Sequence, residues 1–378
     1  MEKDNKRLNR KIKVLFLLEA FDKGGIEQVT LDIVNHLNSN KYDITIQTFW
    51  YGGYCQSLVN KNIKVIPFFS KKYVPGVIRL IAYMSPKMLY RLFVKGKYDV
   101  EIAASDGGAA KVIAGSTNKR SKKICWVHMD VLNQGSRLRE YKSRKSAKHI
   151  YGKFDKIVCV SDYVKKHFQS KFGFEEKTET MHNPIPVNEI RKKSEELLQV
   201  KYEMAQVNIL AVGSLMKVKG FDRLIRVCGN LKKIEGFSVN LTIIGSGPME
   251  RELKEIVENN QYDNIRLLGF QDNPYPFIKN ADLLVCSSHS EAFSIVIGES
   301  FAVGTPVLGT RCSGVCEWME KDKSGLIVEN NEDALYEGIK SILIDGKKLQ
   351  KYKDRAECKG RTFDYIKMLQ CWEEKFLV

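Results

Sequence analysis

The chain carries two successive series of short apolar runs, each run followed by a stretch of helical periodicity. Strands buried on both faces read as unbroken apolar runs of about four to eight residues, and joining them in parallel requires a crossover helix each time. The rhythm therefore specifies parallel sheets covered by helices, an α/β architecture. In the first series the expected strands are 12–18, 42–49, 63–67, 100–103, 123–127 and 156–160. Ile26, Val29, Ile33, Val34 and Leu37 share one face of the helix expected between the first two. The rhythm stops at His182-Asn183-Pro184-Ile185-Pro186-Val187, where two prolines impose extended backbone. It then restarts, with strands expected at 208–212, 240–244, 265–268, 283–286, 306–309 and 325–328. We expect two Rossmann-like domains, 1–185 and 186–362, facing each other across a cleft. A charged amphipathic tail follows, whose last segment, 363–378, is expected to pack back on the first domain.

At 378 residues and 43.3 kDa the chain has the length for two such domains. With 43% hydrophobic and 28% charged residues it is neither disordered nor fibrous. No apolar run reaches the ~20 residues of a membrane-spanning helix, and the polar N-terminus does not read as a secretion signal. Nine cysteines without pairing spacings point to reduced thiols and a cytoplasmic protein.

The net charge of +16 is unevenly spread. Residues 1–185 hold 34 Lys and Arg against 17 Asp and Glu, whereas 186–378 hold 27 against 28. Residues 51–150 alone hold 20 against 5. There Phe68, Phe69, Tyr73, Tyr90, Leu92 and Phe93 interleave with Lys71, Lys72, Arg79, Lys87 and Arg91. A basic surface mixed with apolar groups suits anionic lipid headgroups, at about 1 kcal/mol per cation near the membrane. The same residues also fit a plain solvated face, and a basic stretch can bind nucleic acid.

Three sets of residues carry chemistry. Gly24-Gly25-Ile26-Glu27 opens a helix soon after the first strand, a place where backbone amides can approach an anion, though a tight turn accounts for it equally. It lacks the Gly-x-Gly-x-x-Gly spacing of dinucleotide folds. In the second series Gly213-Ser214-Leu215-Met216-Lys217-Val218-Lys219-Gly220 and Gly245-Ser246-Gly247-Pro248 both lie between a strand and a helix, with Pro248 expected in a first helical turn. Together they suggest a phosphate or diphosphate site. The segment from Ser287 to Glu299 then puts Glu291 in a loop and Glu299 inside a helix, eight residues apart, suited to gripping hydroxyls of a polyhydroxyl ligand at two points.

These motifs resemble the retaining nucleotide-sugar glycosyltransferases of family 4, which have the GT-B fold. The likeness runs from Gly24-Gly25 through Trp126-Val127-His128 and Val158-Cys159-Val160-Ser161, then Val212-Gly213-Ser214-Leu215, Lys219 to Ile225 and Gly245 to Pro248. It continues through Glu291-Ala292-Phe293-Ser294-Ile295 to Glu299, Gly304-Thr305-Pro306-Val307 and Gly325-Leu326-Ile327-Val328. The resemblance implies that Lys219, beside Gly245, holds the donor diphosphate together with the amides near Ser294 and Ile295. Glu291 would bind hydroxyls of the transferred sugar, Glu299 the ribose, and Gly25 the diphosphate from the other domain. His128, with Glu291, is the candidate catalytic residue near the sugar; without the resemblance it reads as a packed histidine. An arginine commonly stands in the family where this chain has Ser214, and Lys217 is the nearest substitute.

The implied reaction moves a sugar, with a UDP-sugar as favoured donor, to a lipid-linked glycan in cell-surface polysaccharide assembly, on the inner face of the membrane. Lys71, Lys72, Arg79, Lys87 and Arg91 would serve the acceptor or an anionic membrane surface. No cofactor, no metal and no nucleic-acid partner are expected: there is no Asp-x-Asp, and Cys312, Cys316 and His289 do not have zinc spacing. The alternatives are a nucleotide-sugar epimerase or hydrolase on the same fold, and a non-catalytic basic binding protein.

Overall fold

The structure, a computed structural model, describes residues 10–22, 24–70, 81–131, 141, 143–198 and 207–377. The chain forms two compact units, Met1–Pro184 with Ile366–Val378, and Ile185–Tyr365.

The first unit holds a seven-stranded parallel sheet of β1 (Ile12–Leu18), β2 (Tyr42–Trp50), β3 (Lys64–Phe69), β4 (Val100–Ala103), β5 (Lys122–Val127), β6 (Lys156–Cys159) and β7 (Thr178–Thr180), in the order 3-2-1-4-5-6-7. Helices α1 (Gly25–His36), α2 (Pro86–Phe93), α3 (Gly108–Ile113), α4 (Arg144–Tyr151) and α5 (Asp162–Phe172) make the crossovers. Val14 to Leu18 are buried without interruption, as a strand covered on both faces requires. β1 pairs with both β2 and β4, Val14 lying opposite Ile44 and Val100. The strand order reverses there, so the carboxyl ends of β1 and β4 form this sheet's switch point. Ser161 caps α5, its hydroxyl accepting from the Val164 amide at 3.1 Å.

β7 was not expected. It has three residues, Thr-Glu-Thr, and so no apolar run; it is held at the sheet edge by β6, with Lys156 and Glu179 paired at 3.0 Å. The last residues of the chain also belong to this unit. Trp372 and Phe376 are fully buried, the indole of Trp372 meeting Trp126 of β5 edge-on at 4.8 Å between ring centres. Lys156 donates to the Lys375 carbonyl at 2.9 Å, and Glu373 accepts from Lys41 and Tyr42.

The second unit holds a six-stranded parallel sheet of β8 (Val207–Val212), β9 (Val239–Ile244), β10 (Ile265–Leu267), β11 (Leu283–Cys286), β12 (Val307–Thr310) and β13 (Leu326–Val328), in the order 10-9-8-11-12-13. Its helices are α6 (Val187–Ser194), α7 (Phe221–Lys233), α8 (Glu250–Asn259), α9 (Tyr275–Asn280), α10 (Ile295–Ala302), α11 (Ser313–Met319), α12 (Glu332–Ile344) and α13 (Gly346–Arg361); α14 (Tyr365–Trp372) leads back to the first unit. Phe221, Leu224, Ile225, Cys228 and Leu231 form the buried face of α7 against Ile209, Leu241 and Val285. Here β8 lies between β9 and β11, which sets the switch point between β8 and β11. Several strand bounds differ from the expected ones by one residue, β12 for example starting at Val307 rather than Pro306, and Pro248 lies in the turn before α8, which starts at Glu250. Both sheets have the expected α/β, Rossmann-like plan.

Candidate functional site

The second switch point collects the densest set of chemical groups. Leaving β8, the backbone turns through the short helical turn Lys217–Lys219 into α7 by way of Gly220, at φ +62°. A Cβ there would lie 2.4 Å from the Ser287 carbonyl oxygen, so only glycine lets this loop lie against the one leaving β11. Lys219 Nζ thereby reaches Glu291 Oε2 at 2.6 Å across 72 residues of sequence, and the Ser288 hydroxyl donates to the same oxygen at 3.1 Å. Both charged side chains are largely sheltered, 22% and 15% exposed. Burial works to lower the Lys219 pKa, but the neighbouring Glu291 carboxylate outweighs it and holds the ammonium above its ordinary value. The site thus presents a fixed cation beside a fixed anion.

Around this pair the loops are braced. The Ser287 hydroxyl donates to the Lys219 carbonyl at 2.9 Å. Arg223, buried on α7, donates from Nε to the Ser287 carbonyl at 3.0 Å and from Nη2 to Asn330 at 2.8 Å. Gly245 and Gly247 set the spacing to the next loop: Cβ atoms there would lie 1.8 Å from the Gly213 oxygen and 2.6 Å from the Leu215 oxygen. Close backbone packing alone therefore demands a glycine at Gly245.

Ser294 is the N-cap of α10 and is buried, its hydroxyl 3.9 Å from the Cys286 sulfur, and Ile295 begins the helix. The α10 N-terminus, with its outward amides, follows Glu291 directly. Glu299, half-buried and further along α10, accepts a hydrogen bond from the Tyr275 hydroxyl at 3.1 Å. Ser214 and Lys217 are exposed. Of the expected donor residues, the structure joins Lys219 directly to Glu291, and sets Gly245 on the loop touching Gly213.

In the first unit Gly24 is the N-cap of α1 and Gly25 its first residue. A Cβ on Gly24 would lie 2.0 Å from the Glu27 carboxylate, which folds back over the helix start. Burial raises the Glu27 pKa, opposed by a backbone hydrogen bond. His128 directly follows β5 and is buried, its ring 4.2 Å from that of Trp126. Burial pulls its pKa down to about 3, so the imidazole is neutral, and its Nε2 has no hydrogen-bond partner among the described residues. Two residues on, buried Asp130 accepts from His167 Nδ1 at 2.9 Å. Lys87 and Arg91 are exposed on α2 with Met88 and Leu92, while Leu89, Tyr90 and Phe93 are buried. Lys71, Lys72 and Arg79 lie outside the described residues.

Ser288, Tyr275, Arg223 and the Asp130–His167 pair were not singled out from the sequence. Arg223 had a readable signal, a charge on the apolar face of an amphipathic helix. Tyr275 and the Asp130–His167 pair meet partners 24 and 37 residues away, which no spacing connects, whereas Ser288 reaches Glu291 within one loop. Among the described residues no group of three His, Cys, Asp or Glu side chains could hold a metal ion, and no helix is long and apolar enough to cross a membrane.

Comparison with known proteins covers both halves. Residues 23–189 match the family model described as Glycosyltransferase Family 4, and residues 195–359 match Glycosyl transferases group 1. The N-acetylgalactosamine-N,N'-diacetylbacillosaminyl-diphospho-undecaprenol 4-alpha-N-acetylgalactosaminyltransferase of Campylobacter jejuni is 34% identical over 223 residues. The match spans 58% of this chain and 59% of that enzyme's length. An uncharacterized glycosyltransferase of Haemophilus influenzae is 24% identical over 95% of this chain and 98% of its own. Among solved structures, Anabaena HepE in complex with UDP-glucose superposes with a TM-score of 0.78 at 20% identity, covering 96% of this chain and 98% of that one. WaaG, a glycosyltransferase involved in lipopolysaccharide biosynthesis, gives 0.70 at 19% identity over 96% and 99%. At these identities the structural likeness is one of fold.

Proposed function

As the chain is a GT-B protein related to the family 4 and group 1 glycosyltransferases, we propose that it transfers a sugar from a UDP-sugar to a lipid-linked glycan, with retention of anomeric configuration. The observation that carries this reading is the Lys219–Glu291 pair at the second sheet's switch point. A nucleotide-sugar needs both kinds of group together: a cation for the diphosphate and a hydroxyl acceptor for the sugar. Breaking the sugar–phosphate bond leaves negative charge on the diphosphate. Lys219 and the α10 amides stabilise this charge, and electrostatic stabilisation of this kind is commonly the largest catalytic contribution. Glu291, steadied by Ser288, takes the sugar hydroxyls, and Glu299 takes the ribose. His128 is neutral and adds no charge of its own.

UDP-glucose is bound by the Anabaena structural relative, and a diphospho-undecaprenol compound is acted on by the Campylobacter relative. Both support a UDP-sugar and a lipid-linked acceptor for this chain. The exposed Lys87, Met88, Arg91 and Leu92 on α2 give the first unit a face for the cytoplasmic membrane surface.

The reaction is tested with UDP-sugars and a polyprenyl-diphosphate glycan, following the product's anomeric signal by NMR. A lengthened glycan with the donor's configuration is expected. Full donor turnover without acceptor would instead make the chain a hydrolase or epimerase. Flotation with vesicles containing anionic phosphatidylglycerol tests the membrane face: the wild type should float and Lys87→Glu/Arg91→Glu should not, and equal flotation would remove α2 from the account.

A further inference from the structure

Tyr275 lies 24 residues before Glu299 in sequence and on a different helix, yet its hydroxyl donates to Glu299 Oε1 at 3.1 Å. Both ends of this contact are anchored. The Tyr275 amide is bound by the Asn273 side chain at 3.2 Å, and Pro276, Phe277 and Ile278, which follow it, are buried. The Ile278 carbonyl accepts from the Thr305 hydroxyl at 2.7 Å. On α10, Ile297, Gly298, Ser300 and Phe301 are all buried around Glu299. A Cβ on Gly298 would lie 2.8 Å from both Ile185 and Trp318, so this helix has no room to slide. Both helices are closely packed at this contact, and the phenol–carboxylate bond is one that orients the glutamate.

A glutamate side chain has three rotatable bonds and samples several orientations unless something holds it. To bind a vicinal diol, a carboxylate must present its oxygens in one plane to two hydroxyls at once. With about four acceptor positions, a carboxylate can accept from a phenol and from a diol at the same time.

We propose that Tyr275 is a positioning residue for the nucleotide: it fixes Glu299 so that the carboxylate meets the ribose 2′ and 3′ hydroxyls. This rests on the reading of the second unit as the donor-binding unit.

The test is calorimetric binding of UDP and of 2′-deoxy-UDP to the full chain, its Tyr275→Phe and Glu299→Gln variants, and the double variant. Tyr275→Phe keeps the ring and removes only the donor. It should weaken UDP about tenfold, the effect of one charge-assisted hydrogen bond, but 2′-deoxy-UDP by less than about twofold. The double variant should bind UDP no worse than Glu299→Gln alone, and in turnover KM for the donor should rise with kcat unchanged. Tyr275→Phe binding UDP like the wild type, while Glu299→Gln loses it, overturns the proposal and leaves the donor reading standing. Equal losses for UDP and 2′-deoxy-UDP, with a lowered thermal midpoint, overturn it in favour of a structural tyrosine. If Glu299→Gln binds UDP as the wild type does, or the wild type binds no UDP, the donor reading falls and the proposal with it.

Discussion

Lys219 and Glu291 neutralise each other before any ligand arrives. A diphosphate entering the site competes with Glu291 for the ammonium, so Glu291→Gln should keep or raise affinity for UDP while lowering kcat for sugar transfer by about 100-fold. The same change leaves Lys219 beside a neutral amide in a sheltered place and should destabilise the protein by about 1–2 kcal/mol in urea unfolding. A more than tenfold loss of UDP affinity would mean that Glu291 holds the nucleotide rather than the sugar. His128 gives a pH prediction. Its folded pKa of about 3 lies below the ordinary 6.5. As pH falls below 6.5 the unfolded chain takes up a proton that the folded one refuses, and stability drops until pH reaches about 3. Between pH 7.5 and 5 the wild type should lose about 2 kcal/mol more than His128→Asn. Parallel pH curves for the two proteins would show that His128 titrates normally in the folded state.

The loops at the second switch point depend on glycines whose reasons differ. Gly220 combines positive φ with a backbone oxygen 2.4 Å from where a Cβ would go. Gly220→Ala should destabilise the fold by about 2 kcal/mol or more and abolish UDP binding, because Lys219 is its neighbour. Unchanged melting would mean that the loop can shift without harm. Elements of this kind were partly readable in advance. Strand β11 was legible because its apolar run is continuous and short, and β1 because Val14 to Leu18 follow one another without a polar residue; α8 and α10 were legible because they follow a glycine turn or a loop. β7 was not, since three polar residues on a sheet edge carry no burial signal. α9 is hidden by Pro274 at its N-cap and Pro276 in its first turn, and is only six residues long. Lys219 and Glu291, which the structure joins, were picked out through the ordered motifs around them. Tyr275 was not, because which side chains meet across separate elements is decided by the packing of those elements, which local sequence does not encode.

At the scale of the molecule, strand order 3-2-1-4-5-6 recurs in both sheets, and in the second unit it brings the β8 and β11 loops together. The chain's end completes the first unit, since Trp372 and Phe376 fill its core beside Trp126. Trp372→Ala should therefore lower stability by about 3–5 kcal/mol in an unfolding transition reported by Trp126 fluorescence. A loss under about 1 kcal/mol would show that the C-terminal segment rests loosely on the sheet. The charge asymmetry was visible in the sequence, and α2 shows where part of it is presented, while Lys71, Lys72 and Arg79 lie outside the described residues. The central claim, that the second unit binds the diphosphate of a nucleotide-sugar through Lys219, is most directly tested by thermal unfolding with and without UDP for the wild type and Lys219→Ala. At a hundred times its dissociation constant UDP should add about 2.7 kcal/mol to the wild type and far less to the variant. Equal stabilisation of both would contradict the claim.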